Sequence, residues 1–270
     1  MMRTQVGIVG AGPAGLLLSH LLARHGVESV VLESRSRDYV EQRVRAGVLE
    51  HPTVELLREV GLAGRLDREG MAHGGISLRF DGGDHRIDFT DLVGRGITVY
   101  GQQEVVKDLI AARLAADGDV RFEVSDVRLD DLATDRPTVG FVDAAGVRHE
   151  LVCDAVAGCD GFHGISRGAY TPRVYDREYP FAWLGILAKA APTHHELVYA
   201  NHENGFALYS MRNPEITRLY LQVPPDTEVA DWSDARIWDE LHRRLAADGF
   251  DINEGPLLEK GVTGMRSFVA

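Results

Sequence analysis

Val6-Gly7-Ile8-Val9-Gly10-Ala11-Gly12-Pro13-Ala14-Gly15 is the stretch that decides the fold of this chain. Four apolar residues read as a buried strand, and the glycine-rich turn behind them opens a helix. A turn of this kind is where a dinucleotide pyrophosphate docks. Gly10 allows the tight turn, Gly12 lets backbone approach phosphate, and Gly15 lets helix and strand lie close together. The free N–H groups and positive end of the helix then face the anion. Pro13 suits the first helical turn, where its missing donor costs nothing. Leu16, Leu17, Leu18, Leu21 and Leu22 give the helix a broad apolar face, and Gly26 stops it. The next strand, 29–32, runs into Glu33, where a ribose-binding carboxylate belongs.

Bulk properties narrow the field. The chain has 270 residues and a formal charge of -12, enough length for a sizeable core and two domains. Nucleic acid is a poor partner for that charge, because phosphate neutralisation needs clustered lysine and arginine. The first strand begins within ten residues of the N-terminus and no apolar run reaches membrane length, so the sequence predicts no leader and no membrane partner. Cys153 and Cys159 lie in or beside the apolar run 151–158 and read as buried free thiols, which suits a reducing cytoplasm. Neither cysteine has metal-ligand spacing, and His194-His195 has no third ligand placed for zinc.

Residues 53–60 read as a short helix closed by Gly61. Residues 76–80 and 86–89 read as strands joined at Asp81-Gly82-Gly83. A longer helix covers 103–116, and 120–122 returns to the parallel sheet. Further strands fall at 124–132, 138–143 and 148–153. The run ending at Gly158 delivers Asp160 and Gly161 just past a buried strand, a placement shared by cofactor-binding turns and plain structural ones. From Asp176 the texture changes to short, closely spaced strands at 181–190, 196–202, 205–212 and 218–223. These predict a mostly antiparallel sheet, followed by a helix with Ile237, Leu241 and Leu245 as its stripe and Asp231 or Ser233 as its cap.

Strand parity marks a second site. Phe206, Leu208, Ser210 and Arg212 share one face of their strand, and Arg218, Tyr220 and Gln222 share one face of theirs. Such a mixed face could line a pocket whose apolar walls hold an aromatic ring, with Arg212 gripping a carboxylate while Ser210 and Tyr220 donate from either side. Solvated edge-strand charges would give the same pattern. Tyr199 reads either as a sheet aromatic or as a hydrogen-bond partner of a phenolic substrate.

Four further stretches join the glycine turn. They are Arg43-Val44-Arg45-Ala46-Gly47-Val48-Leu49-Glu50, Ala157-Gly158-Cys159-Asp160-Gly161-Phe162-His163-Gly164, Tyr199-Ala200-Asn201-His202 and Phe206-Ala207-Leu208-Tyr209-Ser210-Met211-Arg212. Together they resemble the single-component FAD-dependent aromatic hydroxylases across essentially the whole chain, and among them those that act on 4-hydroxybenzoate. The resemblance implies an α/β (α+β overall) fold. A Rossmann-like FAD-binding domain of the glutathione-reductase type covers 1–175, with excursion strands near 72–100. A mostly antiparallel β-sheet substrate domain covers 176–270, with its helix near 233–247 and the start of a return to the first domain.

The resemblance also assigns roles. FAD would be held by Gly10, Gly12, Pro13, Ala14, Gly15, Glu33, Arg43, Arg45, Asp160, Gly161 and one of the adjacent Gln102 and Gln103, with Gln102 preferred. Ser210, Arg212 and Tyr220 would clamp the substrate carboxylate and Tyr199 would activate the phenol. Arg218 would help the flavin reach its productive position. His73, otherwise an ordinary loop histidine, would be the outer member of a proton relay. NADPH, with NADH as a possible substitute, would meet Arg35, Arg37, Tyr39, Arg43, His163 and Arg266; Ser34 stands where the family usually has arginine. The implied reaction is 3-hydroxylation of 4-hydroxybenzoate to 3,4-dihydroxybenzoate with NAD(P)H and O2, in a cytoplasmic homodimer. The open alternatives are a hydroxylase for another hydroxylated or amino aromatic acid and a catalytically incomplete nucleotide-binding fragment, since the family normally continues beyond Ala270.

Overall fold

The computed structural model of the chain describes residues 2–44, 46–169, 173–247 and 249–269. They form two compact units, each assembled from separate stretches. The first comprises Met1–Ala46, Leu56–Arg68 and Gly101–Pro172; the second comprises Gly47–Glu55, Glu69–Tyr100 and Arg173–Ala270.

In the first unit, Val6–Val9 pairs in parallel with Ser29–Leu32 on one side and Ala155–Gly158 on the other, and Asp119–Arg121 extends the sheet beyond Ser29–Leu32. Helices Pro13–Arg24 and Gln102–Ala115 pack together beside it. Leu16, Leu109 and Ile110 are fully buried, because their spacing keeps them on the inward faces. A second sheet, in the order Met2–Arg3, Arg148–Val152, Thr138–Val142 and Ser125–Asp130, shares a core with the first through Val30, Leu32, Val139, Phe141, Leu151 and Cys153. The layers meet closely at Gly7, where a Cβ would lie 2.7 Å from the Cys153 sulfur. Burial pushes that thiol up to about 11, so it stays protonated and inert at neutral pH. The expected free thiols are thus present, Cys153 buried and Cys159 half-buried.

The second unit is built on a seven-stranded sheet, in the order Leu257–Val269, Tyr175–Ala188, Ile216–Val223, Ala207–Asn213, Leu197–Ala200, Gly75–Phe80 and Gly83–Asp88. Every neighbouring pair is antiparallel except Leu197–Ala200 with Gly75–Phe80. The hairpin expected at Asp81-Gly82-Gly83 is therefore part of this larger sheet. A three-stranded sheet of Val48–Leu49, Ile97–Val99 and Met71–His73 completes the unit. His73, expected in a loop, instead ends a strand, because Met71, Ala72 and His73 pair with Val99, Thr98 and Ile97.

Helix Asp234–Arg244 covers one face of the large sheet. Ser233 is its cap, accepting from Arg236 N, so of the two candidates Asp231 is not used. Ile237, Trp238, Leu241 and Leu245 press on Ala182, Leu184 and Ile186, on Ala207, Tyr209 and Met211, and on Leu219 and Leu221. Covering that face leaves the alternate residues of the same strands on the other. Leu241→Ala should cost about 2–5 kcal/mol of stability, because its side chain is fully buried in this layer. Urea unfolding would measure it, and a loss below about 1 kcal/mol would contradict the packing.

Candidate functional site

The glycine turn lies at the C-terminal end of the parallel sheet, where open α/β sheets bind ligands. Gly10 has φ +104, and a Cβ there would lie 2.5 Å from the Cys159 carbonyl oxygen. A Cβ on Gly15 would lie 2.0 Å from the Gly10 oxygen, so only glycine lets the helix start this close to its strand. Gly12 is the helix N-cap and gives no side-chain cap, leaving the first-turn donors to an incoming acceptor; Pro13 and Ala14 begin the helix. A Cβ on Gly12 would meet nothing within 4 Å.

Glu33 stands beside this turn with both carboxylate oxygens oriented. One accepts from Ala11 N at 2.9 Å and the other from Arg35 N at 2.8 Å. The oxygen facing Arg35 also accepts from Ser34 Oγ at 3.4 Å, while the one on Ala11 N keeps a lone pair that a ribose hydroxyl could use. The strand Ala155–Gly158 brings Asp160 alongside, since Cys159 N donates to the Val9 carbonyl at 2.7 Å. Asp160 already accepts from Ser166 N at 2.9 Å, and Gly161 turns the chain with φ +76. Gln102 starts its helix with its N–H on the Ala46 carbonyl. Of the two adjacent candidates, it is Gln103, the less preferred, whose side-chain oxygen is buried with no partner among the described residues.

Among the other basic residues of this unit, the guanidinium carbons of Arg35 and Arg43 lie 5.2 and 5.5 Å from the Tyr39 ring centroid. Arg37 is tied to Glu41 at 2.6 Å, and His163 is exposed beside Phe162. Arg45 lies outside the described residues. Arg266, in the second unit, is engaged by Asp176 and Glu178.

In the second unit, register confirms the parity argument. Leu208 opposes both Tyr199 and Tyr220, and Ser210 opposes Arg218, so these side chains share the face away from the helix. Phe206 joins them, with ring centroids 6.1 Å from Tyr199 and 5.4 Å from Trp183. The register slips by one between Met211 and Asn213, which leaves Arg212 in a bulge, a device that re-aims a side chain. Gly47 makes room for it: a Cβ there would lie 3.2 Å from Arg212 Cδ. No sequence signal marked that neighbour, because the contact spans most of the chain.

Arg212 donates from Nη1 to the Met211 carbonyl at 3.1 Å and touches Ser210 Oγ at 3.5 Å, while its Nε is buried without a partner. No carboxylate among the described residues pairs with it. Burial, with Arg218 nearby, works against its charge, and the Tyr220 side chain counters. Arg218 lies 5.0 Å from the Tyr220 ring and 3.6 Å from the mostly exposed Glu259, and its own Nε is also buried unpaired. Ser210 differs from expectation: its hydroxyl donates to the Arg218 carbonyl at 2.8 Å, so its proton is already committed. Burial raises the Tyr199 hydroxyl above its ordinary range, keeping it neutral and able to donate at neutral pH.

The family model described as FAD binding domain matches residues 3–270. The chain is 42% identical over 273 residues to p-hydroxybenzoate hydroxylase from Acinetobacter baylyi, covering 99% of this chain and 67% of that protein. This chain belongs to the FAD-dependent aromatic hydroxylases. It spans about two thirds of that relative's length. Among solved structures it is similar to p-nitrophenol 4-monooxygenase from Pseudomonas putida, with TM-score 0.82 and 20% identity over 99% of this chain and 69% of that one. A complex of aklavinone-11 hydroxylase with FAD and aklavinone has TM-score 0.77 at 23% identity, over 100% of this chain and 55% of that one. These two likenesses show the shared fold. As a member of the family the protein is an FAD-dependent monooxygenase with a Rossmann-type cofactor region and a largely antiparallel substrate sheet.

The residues present fit FAD. An uncapped helix start, the open space at Gly12, the pre-oriented Glu33 and the orphaned Gln103 oxygen all belong to one unit. Gly12→Ala should fold normally, since its methyl meets no protein atom, yet weaken FAD by more than about tenfold. Flavin titration followed by fluorescence quenching would show it; unchanged affinity would remove the pyrophosphate from this turn.

Proposed function

We propose that the protein hydroxylates 4-hydroxybenzoate at position 3, giving 3,4-dihydroxybenzoate, with NADPH as reductant and O2 as oxidant. The observation that carries this reading is Arg212, a largely buried guanidinium without a carboxylate partner among the described residues, on the same sheet face as Tyr199. A buried cation costs several kcal/mol unless an anion reaches it. A benzoate carboxylate supplies that anion, and the Phe206, Leu208 and Trp183 side chains supply an apolar wall for its ring. The 42% identity to p-hydroxybenzoate hydroxylase supports the same substrate.

Along the strand, Leu208 and Arg212 are separated by about 13 Å at ~3.3 Å per residue, and Tyr199 opposes Leu208. A guanidinium reaching inward from one end and a phenol from the other therefore suit a ring substituted at opposite positions. Tyr199, kept neutral by burial, holds the substrate hydroxyl, and its hydrogen bond favours the electron-rich phenolate over the phenol. Arg212 fixes the acid end, so the carbon beside the hydroxyl is the one presented. FAD, when bound, supplies the oxygen chemistry. Arg35 and Arg43 against Tyr39 form the basic cluster that favours a 2′-phosphorylated nucleotide as reductant.

The decisive measurement is NADPH oxidation stimulated by 4-hydroxybenzoate in the FAD-loaded protein, with the product identified chemically. Stimulated oxidation yielding only hydrogen peroxide would sink the assignment. Arg212→Ala should weaken 4-hydroxybenzoate by about 2–5 kcal/mol, roughly thirtyfold or more. A substrate lacking the carboxylate should lose little further in that variant. Near-unchanged binding would refute the clamp.

A further inference from the structure

His73 is 2% exposed, and neither ring nitrogen has a hydrogen-bond partner among the described residues. Gly74 and Gly75 follow it, and a charged cluster wraps around these two glycines. Arg86 donates from Nε and Nη2 to the two Glu196 oxygens at 2.7 and 2.8 Å, and from Nη1 to Asp88. Arg86, burial notwithstanding, and the nearby Gly75 backbone hold the Glu196 carboxylate below its usual range. A Cβ on Gly74 would lie 3.3 Å from Arg86 Nη2 and 3.7 Å from Glu196 Oε1. The ion pair therefore stands directly against the residue after His73.

Glu196 is held from behind as well. Tyr209, buried in the core, uses its hydroxyl to accept from Thr193 N at 2.6 Å and His194 N at 3.2 Å. Glu196 N in turn donates to His194 Nδ1 at 3.1 Å. The carboxylate is thus fixed by the sheet, by Arg86 and by its own loop. Burial, the largest influence, holds the His73 ring below its ordinary range; of the charged and titratable groups facing it, Glu196 favours a proton on the ring, and His194 and His195 oppose it. Arg86 and Asp88 belong to the adjacent strand Gly83–Asp88, and the paired strand Ile97–Val99 brings no titratable side chain.

We propose that Glu196, shared with Arg86, is a positioning residue that decides when His73 carries a proton. The inference rests on reading His73 as the proton-handling group of the hydroxylation site. A protonated ring at this buried position has no hydrogen-bond acceptor, so the fixed Glu196 charge is what makes protonation affordable. Arg86 takes up part of that charge. Removing the carboxylate and removing its cation should therefore act on the ring in opposite directions.

The test is the titration of the His73 ring in the FAD-loaded protein, read from its histidine Cε1–H resonance and assigned by its disappearance in His73→Asn. Glu196→Gln should lower the midpoint and Arg86→Met should raise it, each by about half to one pH unit, roughly three- to tenfold in proton affinity. Arg86→Lys keeps the charge and should stay near the parent, which separates electrostatics from disruption of the loop. Midpoints that move the same way in Glu196→Gln and Arg86→Met, or that do not move, overturn the proposal. Opposite shifts with an unchanged pH dependence of substrate phenolate formation would uphold the coupling and remove His73 from the relay.

Discussion

A guanidinium largely withdrawn from water, with no counter-charge among the described residues, is costly, and the surroundings of Arg212 are arranged around that cost. Arg212 reaches its place through a bulge, past a glycine that leaves room for its stem. Arg218, one strand over, adds a second cation, and among the described residues it is paired with the mostly exposed Glu259. Dissipating this charge would take little: one acidic side chain on the neighbouring strand would do it. The sheet instead keeps the face positive and its walls aromatic, which is the combination an aromatic carboxylate completes.

The same logic governs the first unit at a different scale. There the positive field comes from backbone, through an uncapped helix start at the end of a parallel sheet, and two backbone donors orient the carboxylate of the nearby acid Glu33. Both anion-receiving places sit in a chain whose formal charge is -12. Net charge governs encounter and solubility, while a ligand within a few ångströms responds to the local donors.

What was legible in the sequence was whatever depends on spacing along one element. The glycine turn, the strand ending in Glu33 and the parity of 206–212 and 218–223 all follow from period and order. The capping Ser233 was legible only as one of two choices. Features created by distant segments meeting were hidden. His73 looked like a loop residue because nothing local announces its pairing with Ile97. Arg86 and Glu196 lie 110 positions apart, and no pattern of charge along the chain joins them. Arg266 reads as available as Arg35, yet it has a carboxylate partner 90 positions away that only the fold supplies, whereas the partner of Arg37, Glu41, stands one helical turn on.

Ser210 shows how such a distant contact changes a chemical role rather than merely adding detail. Read from parity it is a donor to the substrate acid. In the fold its proton goes to the Arg218 carbonyl, and its oxygen faces Arg212 Nη1. That makes it an acceptor toward the guanidinium and a tie between the two arginine-bearing strands. With Nη1 occupied by Ser210 and the Met211 carbonyl, the donors left for a carboxylate include the unpartnered Nε. An approach along the Nε edge gives the two parallel hydrogen bonds that planar acids favour, whereas lysine at this position would offer a point charge without that edge. In the proposed clamp, recognition of an acid group would depend on how the serine and the bulge restrain one planar group, as much as on the charge itself.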